Sequence, residues 1–137
     1  MSNLLDTSVL SQRIKPVPHG PAAAWLRRVE HSEQFVSVVT LWEIRYGIEM
    51  TPPGRKRQLY EDWLTKDIRG NYAQNFLPVD DRIAELAGKL IAQGKLAGAE
   101  PEPADALIAA TARVHGLKVA TLNRKHFVPL GVELVDF

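Results

Sequence analysis

The sequence predicts an α/β fold, with a central, mostly parallel sheet of four to five strands flanked by helices. Short apolar runs that suit buried strands alternate with longer segments of helical periodicity along the chain. The first two strands, just before Asp6 and at Phe35–Val39, are separated by a helical crossover, which favours parallel pairing. The 137 residues fit a single domain, 1–137, because no repeat, low-complexity tract or linker divides them.

Prolines, glycines and apolar spacing set the expected boundaries of the other elements. Helices are expected over residues 7–15, 21–29, 40–51, 55–68, from Asp80 or Asp81 to 94, and 103–115. Further strands are expected at 76–79, 117–122 and 132–135, the first of them weakened by its proline. Gly47 lies inside a helix at a cost of about 1 kcal/mol relative to alanine, so we expect a neighbouring element to approach closely there. Trp42 is expected in the core.

Composition and charge narrow the class of protein. The chain has no cysteine, which removes disulfides and thiolate metal sites and fits a reducing cytoplasm. No basic segment precedes an apolar run at the start, and charges or prolines interrupt every later apolar stretch. We therefore expect a cytoplasmic protein that is neither exported nor membrane-spanning. The net charge of +1 permits a polyanionic partner without requiring one.

Three acidic residues are expected to meet at one edge of the sheet. Asp6 ends the first strand, Glu43 falls in the first helical turn after the second, and Asp105 lies in the first turn of a nearly all-apolar helix. Thr121 and Asn123 follow Lys118–Ala120 of a later strand and should reach the same edge. In open α/β sheets, ligands bind in the crevice outside the carboxyl ends of the strands.

Each acid also has a purely structural interpretation. Asp6 before a helix is a favoured N-cap, and Thr40 with Glu43 matches a capping box. Asp105 could simply favour the positive end of its helix. Capping alone does not readily explain all three acids together. Carboxylates that meet beside apolar segments would repel one another and lose hydration unless a cation bound between them.

The donor set favours a hard divalent cation. Mg²⁺ and Mn²⁺ prefer oxygen ligands and keep several waters, so a few carboxylates and a substrate phosphate complete their coordination. Zn²⁺ is disfavoured, because cysteine is absent and the four histidines show no usual ligand spacing.

Four short segments carry a resemblance to a known family. They run from Leu5 to Leu10, from Ser37 to Ile44 with Gly47, from Pro103 to Ala112 and from Ala120 to Asn123. In this order they resemble the motifs of PIN-domain proteins, in particular the VapC-type ribonuclease toxins of toxin-antitoxin systems. The four segments span almost the whole chain, which makes the resemblance specific.

The resemblance implies a three-layer sandwich and an endonuclease that cuts single-stranded RNA with Mg²⁺ or Mn²⁺. Asp6, Glu43 and Asp105 match the acidic ligands of the family and are the expected catalytic residues. Thr7 or Ser8, together with Thr121, would supply hydroxyls in the site. The resemblance further implies a homodimer and a small antitoxin that covers the acidic crevice.

The chain departs from the family pattern after its last strand. Many relatives carry a further acid there or three residues later, where this sequence has Asn123 and His126. The amide of Asn123 can support a cation without adding charge, and we expect His126 to be a surface residue. The departure puts a second metal ion in question and predicts weak activity. The neighbouring Arg124 and Lys125 are candidate nucleic-acid contacts.

Two other functions compete with the nuclease. Asp6 at a strand end could be the nucleophile of a phosphoryl transfer through an aspartyl phosphate. Haloacid-dehalogenase-like enzymes would then need another acid two residues later, where this chain has Ser8. The replacement of an acid by Asn123 and His126 leaves a non-catalytic or weakly active binding module as the main alternative.

Overall fold

The protein is described here by a computed structural model over residues 2–137, in which four parallel strands form one sheet. The strands are β1 (Asn3–Leu5), β2 (Gln34–Ser37), β3 (Phe76–Leu77) and β4 (Lys118–Ala120), in the spatial order β3-β2-β1-β4. At the centre of the sheet, Leu4 of β1 lies opposite Phe35 on one side and Val119 on the other. The predicted α/β fold with a parallel sheet is confirmed.

Helices cover both faces of the sheet. They are α1 (Thr7–Leu10), α2 (Gly20–Arg28), α3 (Val38–Met50), α4 (Arg55–Asp62), α5 (Arg69–Asn71), α6 (Asp81–Leu96), α7 (Pro103–His115) and α8 (Arg124–Phe127). A π-helical segment, Trp63–Ile68, joins α4 to α5, so the single helix expected over 55–68 changes its winding partway. As predicted, Asp80 caps α6 by accepting a hydrogen bond from Ile83 N at 3.0 Å. Gly116, at φ 67°, ends α7.

The core has two parts, one on each face of the sheet. Successive side chains of a strand point to opposite faces. Leu5 therefore packs with α1, α2, α3 and the π-helical segment, whereas Leu4 packs with α6 and α7. Both leucines are fully buried. The three layers hold the carboxyl ends of β1, β2 and β4 in fixed relative positions.

The boundary between β2 and α3 differs from the prediction. The strand ends at Ser37 rather than Val39, because the Ser37 hydroxyl caps the helix by accepting a hydrogen bond from Val39 N at 3.0 Å. Glu43 therefore lies in the second turn of α3 and not in the first. The capping-box interpretation of Thr40 and Glu43 is wrong, since the helix already has its cap.

The prediction of a strand at 132–135 is also wrong in part. Leu134 forms a single isolated bridge to Val119. The two backbone hydrogen bonds at this bridge run from Val119 N to Glu133 O and from Val135 N to Val119 O, each 2.9 Å long. One bridge fixes the segment beside β4 but does not make a ladder.

Two expectations about α3 are corrected. The side chain of Trp42 is 63% exposed, because Ile44 and Ile48 occupy the core-facing side of the helix and Trp42 points away from them. A Cβ at Gly47 would meet no atom of the described chain within 4 Å, so no neighbouring element approaches closely. Separately, none of the helices described over residues 2–137 has the length and apolar character needed to cross a membrane.

Candidate active site

Asp6 stands between β1 and α1 and is almost completely buried, with 5% of its surface exposed. Its backbone N–H donates to Ala120 O at 3.0 Å, which ties the end of β1 to the end of β4. Within residues 2–137 its side chain makes no capping hydrogen bond to α1. Oδ2 instead accepts hydrogen bonds from Ser8 Oγ at 3.0 Å and Thr121 Oγ1 at 2.8 Å. The N-cap interpretation of the Asp6 carboxylate is therefore wrong.

The two hydroxyls beside Asp6 are held by backbone donors after β4. Ser8 Oγ accepts a hydrogen bond from Leu122 N at 3.0 Å, and Thr121 Oγ1 accepts one from Asn123 N at 2.9 Å. The two hydroxyl oxygens lie 3.3 Å apart. Ser8 and Thr121 thus join residues from opposite ends of the sequence around one carboxylate.

Glu43 approaches the same place from α3. Burial, followed by the negative charges of Asp6 and Asp105, raises the pKa of the Glu43 carboxyl from 4.5 to about 7. The Thr7 hydroxyl lowers this pKa. Even so, neither Thr7 Oγ1 nor Glu43 Oε1 has a hydrogen-bond partner in the described chain, and both atoms are buried. Glu43 therefore presents a buried oxygen to which no described residue donates a hydrogen bond, and Thr7 offsets the raised pKa only in part.

Asp105 approaches from the first turn of α7. Burial and the charge of Asp6 raise the pKa of the Asp105 carboxyl from 3.8 to about 6, with Glu102 adding to the shift and His126 opposing it. The ring Nδ1 of His126 lies 3.7 Å from Asp105 Oδ2. His126 is thus not merely a surface residue: nearly half of its side chain is exposed, but the ring faces a site carboxylate.

The charge of Asp6 contributes to the raised pKa values of both Glu43 and Asp105, yet the three carboxylates do not form a ready-made cage. Among residues 2–137, no three acidic or histidine side chains converge tightly enough to enclose one ion directly. This arrangement suits a hard divalent ion that contacts one or two carboxylates and reaches the others through its waters. The uncompensated Oε1 of Glu43 supports the fit, because a cation would neutralise it.

The remaining predicted site residues lie at the rim. Asn123 is exposed, and its side chain does not cap α8 within the part of the chain that is described. The guanidinium of Arg124 donates to Val135 O at 2.8 Å and lies 3.6 Å from the Asp136 carboxylate. Arg124 is thus held by the C-terminal segment. Lys125 is exposed and lines a shallow cavity with Asp105 and His126.

An apolar groove beside Glu43 was missed by sequence reasoning. This groove, which we call the α3 groove, has a volume of about 230 Å³. It is lined by Thr7, Ser11, Ile14, Lys15, Pro16, Glu43, Ile44, Gly47, Ile48, Tyr60 and Trp63. The only sequence signal for it was Gly47, whose missing side chain leaves the space open rather than admitting a neighbouring element.

The comparisons with known proteins agree with this geometry. A family model described as the PIN domain matches residues 4–128. Toxin FitB of Neisseria gonorrhoeae is 33% identical over 133 residues, which cover 97% of this chain and 96% of that protein. The VapC ribonuclease Y4jK of Sinorhizobium fredii is 31% identical over 133 residues, which cover 97% of this chain and 95% of that protein.

Solved structures share the same architecture. The crystal structure of FitAcB from Neisseria gonorrhoeae matches with a TM-score of 0.88 at 32% identity, covering 97% of this chain and 96% of that chain. VapBC-5 from Mycobacterium tuberculosis, a member of the VapBC family of toxin-antitoxin systems, matches with a TM-score of 0.74 at 25% identity, covering 99% and 98%. The resemblance of the four sequence segments is thereby confirmed, and the chain belongs to the PIN-domain family.

Proposed function

We propose that this protein is a divalent-metal-dependent endoribonuclease that hydrolyses phosphodiester bonds in single-stranded RNA, and that it is the toxin of a toxin-antitoxin pair. The observation that carries the proposal is the meeting of Asp6, Glu43 and Asp105, where burial and then the neighbouring negative charges raise the pKa values of Glu43 and Asp105. Its relatives include a VapC ribonuclease and a protein named as a toxin. From RNA as the proposed substrate we infer that the protein acts in the cytoplasm.

The metal in this proposal is Mg²⁺ or Mn²⁺. PIN-domain ribonucleases generally depend on a divalent metal ion. Asp6, Glu43 and Asp105 would hold the ion and are the proposed catalytic residues. The bound ion would supply a Lewis acid at a phosphate oxygen. Thr7 offers a buried hydroxyl without a partner in the described chain, next to Glu43.

The test of this function is cleavage of RNA by the purified chain, free of any partner. Labelled single-stranded RNA should be cut internally in Mg²⁺ or Mn²⁺, and EDTA should stop the reaction. Sequencing the fragment ends would then identify the RNA that is recognised. Absence of cleavage with both ions, combined with retained binding of a partner protein, would favour a non-catalytic binding module.

We place the antitoxin in the α3 groove. Glu43 is among the residues that line the groove, and most of the lining is apolar. A segment with apolar side chains and one basic residue opposite Glu43 complements both features. Trp63 also lines the groove, and its indole Nε1 is buried without a hydrogen-bond partner among the described residues. Such a segment would shield the carboxylates from RNA.

Gly47→Leu is expected to weaken antitoxin binding at least about 10-fold, or about 1.4 kcal/mol, because the added side chain would occupy groove space that the bound segment needs. A side chain at Gly47 enters open space, so the fold should remain intact. The measurement is the affinity of the purified pair. Gly88→Leu in α6 is the matched control, since a Cβ there also meets no described atom within 4 Å. Unchanged affinity for Gly47→Leu would remove the groove as the binding site.

We place the homodimer contact on the outer side of α3. Trp42, Tyr46 and Met50 recur four residues apart and are 63%, 61% and 67% exposed. Around a two-fold axis at Tyr46, Trp42 of one copy would face Met50 of the other. The stripe is flanked by Arg45 and Glu49, which lie 3.6 Å apart and have closer partners in the same chain, Glu61 at 2.7 Å and Arg57 at 3.0 Å.

Tyr46→Glu is expected to convert the dimer to a monomer, because a charge would be buried without a partner at the axis. Sedimentation velocity over a concentration series measures the change. Leu96→Glu, at a side chain that is 90% exposed on α6, is the control and should leave association unaffected. A Tyr46→Glu variant that dimerises as the parent does would exclude this surface.

A further inference from the structure

The two oxygens of Asp6 are not equivalent. Oδ2 accepts two hydroxyl donors, Ser8 Oγ at 3.0 Å and Thr121 Oγ1 at 2.8 Å, whereas no hydrogen bond to Oδ1 occurs among residues 2–137. The carboxylate itself is almost fully buried and Thr121 is completely so. One oxygen is therefore held by the protein, and the other accepts no hydrogen bond from the described residues. The charge of Asp6 also contributes to the raised pKa values of Glu43 and Asp105.

The direction of these hydrogen bonds follows from the ionised carboxylate, which can only accept, and is consistent with the backbone donors on the two hydroxyls. A serine or threonine hydroxyl has one proton to donate. Because Leu122 N donates to Ser8 Oγ and Asn123 N donates to Thr121 Oγ1, each hydroxyl already accepts a proton from the chain. Each hydroxyl proton is then directed at Asp6 Oδ2. The 3.3 Å contact between the two hydroxyl oxygens is a consequence of both pointing at one atom.

We propose that Ser8 and Thr121 are positioning residues that reserve Oδ1 of Asp6 for a divalent ion and prevent the carboxylate from binding that ion through both oxygens. This inference rests on the proposed metal-dependent function. The restriction to one oxygen affects which divalent ion binds more tightly. Ca²⁺ commonly takes both oxygens of a carboxylate in flexible geometry, whereas Mg²⁺ demands near-ideal octahedral geometry and binds through one or two carboxylates with several waters. A carboxylate limited to one oxygen favours the smaller ion.

The first experiment measures Mn²⁺ affinity of the full chain by the electron paramagnetic resonance signal of free Mn²⁺. Ser8→Ala and Thr121→Val are each expected to weaken binding about 10-fold, the lower end of the usual effect of removing a group that orients a metal ligand. Thr121→Ser keeps the hydroxyl and should restore most of the affinity. Thr111→Val removes another buried hydroxyl, one that bonds Leu107 O at 2.7 Å inside α7, and should leave affinity unchanged.

Asp6→Asn separates failure of this inference from failure of the proposed function. If Asp6→Asn loses Mn²⁺ binding while Ser8→Ala and Thr121→Val bind as the parent does, the positioning role is overturned and the metal site stands. If Asp6→Asn itself binds Mn²⁺ normally, the metal-dependent function fails as well. Thermal melts of each variant in EDTA separate a loss of affinity from a loss of fold.

A second experiment needs no variant. Mg²⁺ and Ca²⁺ are each titrated against Mn²⁺ bound to the parent protein, with the same resonance signal as the readout. Mg²⁺ is expected to displace Mn²⁺ at a concentration at least about 10-fold lower than Ca²⁺ does, because only Ca²⁺ gains from a second carboxylate oxygen. Displacement by Ca²⁺ at equal or lower concentration would overturn the proposal, whatever the variants do.

Discussion

Asp6→Asn is expected to slow RNA cleavage at least about 100-fold while the fold remains intact. The asparagine carbonyl can still accept the hydrogen bonds of Ser8 and Thr121, so the turn after β1 keeps its partners. Its amide nitrogen, however, replaces the open oxygen and cannot ligate a cation. Removal of a group that merely orients a metal ligand typically lowers metal affinity or activity about 10- to 100-fold. Removal of a ligand itself should therefore lower the cleavage rate about 100-fold or more.

The measurement is single-turnover cleavage of labelled RNA at saturating Mg²⁺ or Mn²⁺. Asp67→Asn, at an exposed position of the π-helical segment, removes the same charge from the surface and is the control. A thermal melt in EDTA should show both variants folded. Cleavage by Asp6→Asn at the rate of the parent would eliminate Asp6 as a catalytic residue.

Glu43→Gln is expected to stabilise the metal-free protein at pH 8 while removing most of its affinity for Mn²⁺. In the parent, the Glu43 carboxyl has a pKa of about 7 in the folded state against 4.5 as its ordinary value. The folded state therefore binds more protons than the unfolded state between these values, and stability falls as the pH rises through this window. The neutral amide of glutamine does not titrate, so the variant does not lose this stability as the pH rises.

The test is a series of thermal melts in EDTA between pH 5 and pH 8. At pH 8 the variant should melt higher by roughly 3 °C, the shift that about 1 kcal/mol produces in a domain of this size. At pH 5 the parent is itself protonated at Glu43, so the two melting temperatures should converge. A variant that is less stable than the parent at pH 8 would contradict an uncompensated charge at this position.

Metal binding should show the opposite dependence on pH. Protons compete with the ion for Glu43 and Asp105, whose pKa values are about 7 and about 6 without metal. Affinity for Mn²⁺ is therefore expected to rise from pH 5.5 to pH 8 in the parent. In Glu43→Gln only the contribution of Asp105 remains, so the rise should be smaller and should end at lower pH.

The sequence was sufficient for the parallel sheet and for the three acids at its edge. Each of these follows from local signals: an apolar run that ends at Asp6, a helix that begins near Glu43, and Pro103 two residues before Asp105. Because carboxyl ends of parallel strands share one edge, three local signals gave one site. The sequence did not show which residue caps α3, because Ser37 and Thr40 are both of types that favour that position.

Features that depend on packing between distant elements could not be predicted. An apolar helix such as α3 does not reveal which of its sides faces the core, so Trp42 was misplaced. The α3 groove requires the positions of Ile14 and Trp63 relative to that helix. The contact of His126 with Asp105 depends on how α8 turns back across α7. The spacing of residues along the sequence does not show how these distant elements pack against one another.

The hydrogen bond between Asp6 and Thr121 joins residues 115 positions apart. Asp6 is synthesised 115 residues before Thr121, so of its two hydroxyl donors only Ser8 is present through most of translation. The hydrogen-bonded arrangement proposed for the cleavage centre is therefore complete only after the last strand has been made.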